Sequence, residues 1–323
     1  MNSFGEPTPT FTFAQLTDPH LTSLEEVGIS DLLNKRMLGY LSWRHTRKQT
    51  YRREVLDVLV QDLQTHHPDH IVVTGDLTQV GLPAEFQEAR NWLDSLGLPE
   101  NVTVIPGNHE AYALPSWDRL LATWEPYLVS DSDWSDPDSG STYSSLFPTV
   151  RIRGAVALIG LSSAYPSLPF LAVGKIDEAQ LSRLSGLMRD LSQRHLFRVV
   201  LIHHPPVPGS IKWRKRLTNG KALQSVLNQH GAELVLHGHS HRLSRSSFDG
   251  LSHAVPVIGL PAASRKDGAS YYRAAYNLYR VTRQDKGWEL KISTHVLSPS
   301  GDTVHLAHEE VLIMNPCTDQ VPL

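Results

Sequence analysis

Short apolar runs that each end in a polar cluster alternate along this chain with longer segments of helical period. The runs are Phe11 to Leu16, Ile71 to Thr74, Val102 to Ile105, Ala155 to Leu161, Val199 to Ile202 and Ala232 to Leu236. Apolar residues recur with helical spacing over Tyr51 to Thr65, Pro83 to Leu96, Glu178 to Arg194 and Leu217 to His230. A run with no polar alternation is a strand covered on both faces, and strands that alternate with helices build a parallel sheet. The chain is therefore expected to be an α/β protein. Asp177 is placed to cap the third helix, with Gln180 three residues on, and Gly231 to end the fourth. After residue 250 the helical segments stop. Ala254 to Leu260, Ala275 to Thr282 and Trp288 to Leu297 read as consecutive strands, the last two joined by a Gln-Asp-Lys-Gly turn. No linker precedes them, so they are expected to form a second sheet within one domain over residues 1–300. A basic insertion at about residues 24–50 and a tail over 301–323 complete the division.

Composition narrows the chemistry. A net charge of -3 over 323 residues makes no field that implies a nucleic-acid partner. Cys317 is the single cysteine, which excludes a disulfide framework and a thiolate metal cluster. Any metal must then be held by nitrogen and oxygen, and the chain has 17 histidines to offer. No stretch approaches the roughly 20 apolar residues of a membrane span. The segment MNSFGEPTPT has neither a basic n-region nor an apolar h-region, so a cytoplasmic protein is expected.

The polar clusters fall at strand ends. They read Asp18-Pro19-His20, Gly75-Asp76, Gly107-Asn108-His109-Glu110, His203-His204-Pro205-Pro206 and Gly238-His239-Ser240-His241. In an open α/β sheet ligands bind beyond the carboxyl ends of the strands, so all five clusters are expected to face one crevice. Two aspartates, an asparagine oxygen and several imidazoles suit Mn, Fe, Zn, Co or Ni rather than calcium. These groups outnumber what one ion takes from protein while keeping a position open for water, so two ions are expected. Asp76, between the others in chain order, is the natural bridge. Paired ions roughly 3.5 to 4 Å apart suit phosphoryl transfer: they polarise the phosphorus, create a hydroxide near neutral pH and stabilise the leaving oxygen.

In this order the five clusters resemble the calcineurin-like metallophosphoesterases. The resemblance spans residues 11 to about 260 and implies a four-layer α/β/β/α sandwich of two mixed β-sheets flanked by helices. It implies one ion on Asp18, His20, Asp76 and His241, and a second on Asp76, Asn108, His203 and His239. Two divalent or trivalent ions are implied, Mn2+ first, with Fe, Zn, Co or Ni as alternatives. His109 would contact the phosphate and act as the acid for the leaving group, and Glu110 would orient His109. His204 is the weaker member of its pair, because strand alternation turns it away. In the stretch VLHGHSH, Gly238 is expected to let the backbone leave the strand so that His239 and His241 reach different ions, while His237 stays on the strand in a supporting or core role.

The remaining histidines carry less. His66, His67 and His70 are expected at a helix end and surface turn. His45, His195, His230, His253, His295, His305 and His308 are expected to be structural or solvated. The Asp-rich residues 131–140 lack the EF-hand ligand spacing, and neither a zincin helix nor a nucleophile elbow is present.

The substrate is read from two basic-aromatic stretches. Residues 34–53 carry seven basic residues, among them Arg36, Arg44 and Lys48, interleaved with Met37, Leu38, Tyr40, Leu41 and Trp43. Ile211 to Arg216 adds Lys212 and Arg214 beside Trp213. One reading is an exposed helix start with long basic side chains lying over apolar surface. The other is a flap that meets an anionic, partly apolar substrate or the inner face of a membrane peripherally. The insertion is similar to those of enzymes that cleave the diphosphate of UDP-2,3-diacylglucosamine in lipid A synthesis, which makes a lipid-linked substrate the first expectation. A soluble phosphodiesterase acting on cyclic nucleotides or glycerophosphodiesters is the alternative, and a non-enzymatic metal-binding interaction module the third.

Overall fold

The computed structural model describes residues 10–21, 24, 40, 48–112, 117–134, 142–168 and 170–314. Of the basic insertion, Arg36, Arg44 and the side chain of Lys48 lie outside the described residues.

Two mixed six-stranded sheets make up the body. The first has the order β12-β11-β10-β1-β2-β3 and the second β4-β5-β6-β7-β9-β8. In the first, β1 (Thr10–Leu16), β2 (His70–Val73) and β3 (Val102–Val104) run parallel. In the second, β5 (Val156–Gly160), β6 (Phe197–Leu201), β7 (Leu234–His237) and β9 (Val255–Gly259) do so. Four helices make the crossovers: α1 (Arg53–Thr65), α2 (Pro83–Leu96), α3 (Glu178–Ser192) and α4 (Gly220–His230). The capping signals hold. Asp177 accepts a 2.7 Å hydrogen bond from Gln180 N, and Gly231 ends α4 at φ 78°.

Strand β6 shows why the apolar runs are continuous. Phe197, Val199 and Leu201 join the core shared with the first sheet, while Val200 joins Leu184, Met188, Leu223 and Leu227 of α3 and α4. Both faces are covered, and burying each such side chain contributes about 1.5–3 kcal/mol.

The C-terminal strands divide differently from expectation. Only β9 enters the second sheet; β10 (Ala275–Gln284) and β11 (Gly287–Leu297) extend the first sheet from β1, antiparallel. The expected turn joins them, with Gln284 opposite Gly287. The segment read as a tail supplies β12 (Val304–Met314), the edge strand beside β11. Strands β4 (Thr149–Arg153) and β8 (Ser244–Phe248) carry too few apolar residues to be read, because both lie at sheet edges. His70 also departs from the expected surface turn. It opens β2, fully buried, with Nε2 2.8 Å from Thr103 Oγ1.

Candidate active site

The ends of β1, β2, β3, β6 and β7 meet where the two sheets adjoin. Asp18 N donates to Gly75 O and His20 N to Asp76 O, which ties the loop after β1 to the loop after β2. From the second sheet, Gly238 N donates to His203 O, and the side chain of Gln15 on β1 donates to His237 O. Loops from both sheets are thereby locked into one floor.

Two groups of donor atoms form on it. Asp18, His20, Asp76 and His241 make one, and Asp76, His203 and His239 the other, each with its ligand atoms within 4.8 Å of one another. Asp76 belongs to both. His241 Nε2 lies 2.9 Å from Asp18 Oδ1, and His203 Nε2 lies 3.2 Å from Asp76 Oδ2 and 3.2 Å from Asn108 Oδ1. All seven residues expected as ligands are therefore together.

The imidazoles are held with one nitrogen inward. His203 Nδ1 donates to Thr74 O at 2.7 Å and His20 Nδ1 to Thr78 O at 3.1 Å. A carbonyl can only accept, so each Nδ1 carries a proton and Nε2 is the ring atom turned to the cluster; the Asp76 charge pushes His203 up to about 9, so its Nε2 proton must leave before it can hold a cation. Asp18 Oδ1 and Asp76 Oδ2 are buried with only His241 Nε2 and His203 Nε2 against them, and His239 Nε2 is buried without a hydrogen bond. A buried carboxylate oxygen left so costs several kcal/mol unless a cation meets it. The donor set is thus fitted to hold cations with nitrogen and oxygen ligands.

Burial pushes both carboxyls up, but the neighbouring charges win. His241 holds Asp18 below the usual carboxylate range, and His203 and His109 hold Asp76 well below it. Burial likewise pushes His239 well down, helped by His204, His203 and Lys215. Both aspartates are anionic and His239 is neutral, the forms that bind metal.

The backbone adds a feature that the motifs do not announce. Asp18, His20, Asp76, His239 and His241 all have left-handed φ, between 44° and 61°. Asp and His enter this region more readily than most residues, and such conformations cluster at functional sites at a cost of about 1–3 kcal/mol each. β7 ends at His237, so the chain leaves the strand at Gly238 as expected, although Gly238 itself is not in the left-handed region. Its role is space: a Cβ there would sit 2.0 Å from Thr17 Oγ1 and 2.5 Å from Asp18 Oδ2.

His109 Nε2 lies 3.9 Å from Asp76 Oδ2, and its Nδ1 donates to Gln79 O. Glu110 performs a different task from the one expected. Its carboxylate accepts from Asp76 N, Thr78 N, Thr78 Oγ1 and Gly107 N, at 2.6 to 3.1 Å, so it knits the loops after β2 and β3. Burial and the Asp76 charge push it up to about 7. His204, buried, places Nδ1 2.8 Å from Ser163 Oγ and belongs to neither donor group. His237 donates from Nδ1 to Gly238 O.

One residue escaped the motif reading. The Tyr51 hydroxyl lies 2.7 Å from His241 Nδ1, a contact across 190 residues. In the second basic stretch the charge of Lys215 registers on His239; Lys215 is exposed, as are Lys212 and Arg214, expected to meet substrate, on the same short turn.

A family model described as calcineurin-like phosphoesterase matches residues 11–243. The chain belongs to the calcineurin-like phosphoesterase family. Members use a dimetal centre, and curated relatives of this chain are named as phosphodiesterases. It is 27% identical over 184 residues to a probable cyclic nucleotide phosphodiesterase of Synechococcus sp., covering 56% of this chain and 61% of that one. The chain thus spans about three fifths of that relative's length. It is 27% identical to the glycerophosphodiester phosphodiesterase GpdQ of Enterobacter lignolyticus, over 66% of this chain and 73% of that one. Its fold is similar to that of a dimetal phosphatase from Danio rerio, with TM-score 0.58, 14% identity, and coverage of 94% and 98% of the two chains. Among the described residues of this calcineurin-like phosphoesterase, no helix is long and apolar enough to cross a membrane.

Proposed function

We propose that this phosphoesterase hydrolyses small phosphodiesters of the cyclic nucleotide or glycerophosphodiester kind. In this reading one ion is held by Asp18, His20, Asp76 and His241, and a second by Asp76, Asn108, His203 and His239. The observation that carries it is the membership of Asp76 in both donor groups. One carboxylate common to two sets brings two cations to the short spacing that phosphoryl transfer uses. Mn2+ is the ion proposed, with Fe, Zn, Co or Ni as alternatives that oxygens and imidazoles also accept. Two ions there would polarise a phosphoryl oxygen and acidify water toward neutral pH.

The chain's own groups do the rest. The carbonyls of Thr74 and Thr78 hold two ligand rings by Nδ1. Nδ1 of His109 is engaged by Gln79 O, so Nε2 faces Asp76 and is the atom that delivers a proton to the leaving oxygen.

The relatives' names support soluble diesters over the lipid-linked diphosphate expected first. The lipid reading, with membrane contact through residues 34–53, retains one favouring observation: Trp213 is 64% exposed between Lys212 and Arg214. Metal-loaded protein should be assayed on bis(p-nitrophenyl) phosphate, 3',5'-cyclic AMP, glycerophosphoethanolamine and detergent-dispersed UDP-2,3-diacylglucosamine. Turnover of the water-soluble diesters is expected; cleavage of the lipid diphosphate alone would overturn the proposal.

A further inference from the structure

Away from the active site, three donor atoms converge where α1 meets β11. Asp62 lies in the last turn of α1 and His66 is its C-cap, four residues on and therefore on the same face. His295 comes from β11. Asp62 Oδ2, His66 Nε2 and His295 Nδ1 all lie within 4.8 Å of one another, the carboxylate oxygen 4.0 Å from His66 and 3.8 Å from His295. None of the three belongs to either active-site group.

Two features aim these side chains together. His295 follows Lys291 and Ser293 at two-residue spacing on β11, so strand alternation turns it to the same cleft as they line. Tyr276 of β10 then fixes two ligands at once. Its ring stacks on His295, centroids 4.7 Å apart and planes 9° from parallel, and its hydroxyl donates to Asp62 Oδ2. The His66 ring stands edge-on to His295 at 4.7 Å. A cleft of about 480 Å³, lined by His66, His67, Asp69, Lys291 and His295 among others, leaves the cluster open to water.

The geometry points to a third metal site, separate from the dimetal centre, in which Asp62, His66 and His295 bind a borderline cation such as Zn2+. The separations of 3.8 and 4.0 Å are too long for hydrogen bonds between these side chains. Zinc bonds of about 2.0–2.2 Å need donors roughly 3.4 Å apart, so Asp62 has to approach each imidazole by about half an ångström. Two imidazoles and one carboxylate with an open fourth position form a three-ligand zinc set, water completing the tetrahedron. An ion there would clamp the C-terminal end of α1 to β11 and stabilise the fold by mass action.

The test is metal counting on the full chain after saturation with Zn2+ and desalting. Wild-type protein is expected to carry one ion per chain more than His66→Ala, a substitution at a side chain that is 37% exposed. His295→Gln should lose the same ion. Zn2+ should raise the thermal midpoint of the wild type more than that of either variant, with hydrolysis of an aryl phosphodiester unchanged in all three. Asp76→Asn, which alters only the dimetal centre, should retain the extra ion, so the count decides even if the proposed substrate class is wrong. Equal metal content in wild type and both variants would overturn the site, as would loss of the ion together with turnover.

Discussion

The hydroxyl of Tyr51 lies 2.7 Å from Nδ1 of His241, whose Nε2 lies 2.9 Å from Oδ1 of Asp18. By accepting from Nδ1, the Tyr51 hydroxyl would do for His241 what the carbonyls of Thr74 and Thr78 do for His203 and His20: occupy the outer nitrogen and leave the inner one for a cation. Tyr51→Phe removes one oxygen and leaves the ring. The metal concentration for half-maximal turnover is expected to rise about 10- to 100-fold, with turnover at saturating metal little changed. An unaltered metal requirement would show that Tyr51 does not position the ligand.

Two glycines should respond in opposite directions to the same change. At Gly238 the added methyl meets Thr17 Oγ1 at 2.0 Å and the Asp18 carboxylate, so Gly238→Ala is expected to cost about 1–3 kcal/mol and to disrupt metal binding. At Gly186, inside α3, it meets nothing within 4 Å, and Gly186→Ala is expected to stabilise by about 1 kcal/mol. Urea unfolding of the two variants checks both signs.

What could be read in the sequence follows from how local each signal is. The central strands are legible because burial on both faces makes a continuous apolar run, and the candidate ligands because each closes such a run. β8, SRSSF, and β12, VHLAHEEVLIM, are not, since edge strands bury too little to write a pattern. Glu110 was placed beside His109 by adjacency alone, yet its oxygens serve amides on the loop after β2. Tyr51 and the pairing of His66 with His295 depend on contacts across 190 and 229 residues, which no spacing rule encodes.

The buried pair of Arg198 and Glu233 offers a stability test apart from catalysis. Glu233 accepts from Arg198 Nε at 3.0 Å and Nη2 at 2.8 Å, and both side chains are about 2% exposed. Glu233→Ala leaves a buried guanidinium without its counter-charge and is expected to cost about 3–5 kcal/mol. Arg198→Met with Glu233→Leu should recover most of that loss, because the burial cost of both charges vanishes together. Equal destabilisation of the single and double variants would contradict this account.

His70 should make stability depend on pH. Burial, with Arg153 and Arg151, pushes its imidazole down to about 3, from an ordinary 6.5. The folded chain therefore keeps it neutral where the unfolded chain binds a proton. Its stabilising contribution is complete above pH 6.5 and is lost as pH falls toward 3. Between pH 7 and 5 this amounts to about 1–2 kcal/mol, measured as the change in unfolding free energy. His70→Gln should flatten that part of the profile; an unchanged slope would assign the dependence to other groups.

The central claim, that Asp76 joins two cations into one hydrolytic centre, is tested most directly by turnover of bis(p-nitrophenyl) phosphate. Chelated wild-type protein and Asp76→Asn should be compared before and after addition of Mn2+. The account predicts that the wild type regains activity with the metal while Asp76→Asn stays more than about a hundredfold below it. Activity that survives chelation, or an Asp76→Asn variant restored to the wild-type rate, would contradict it.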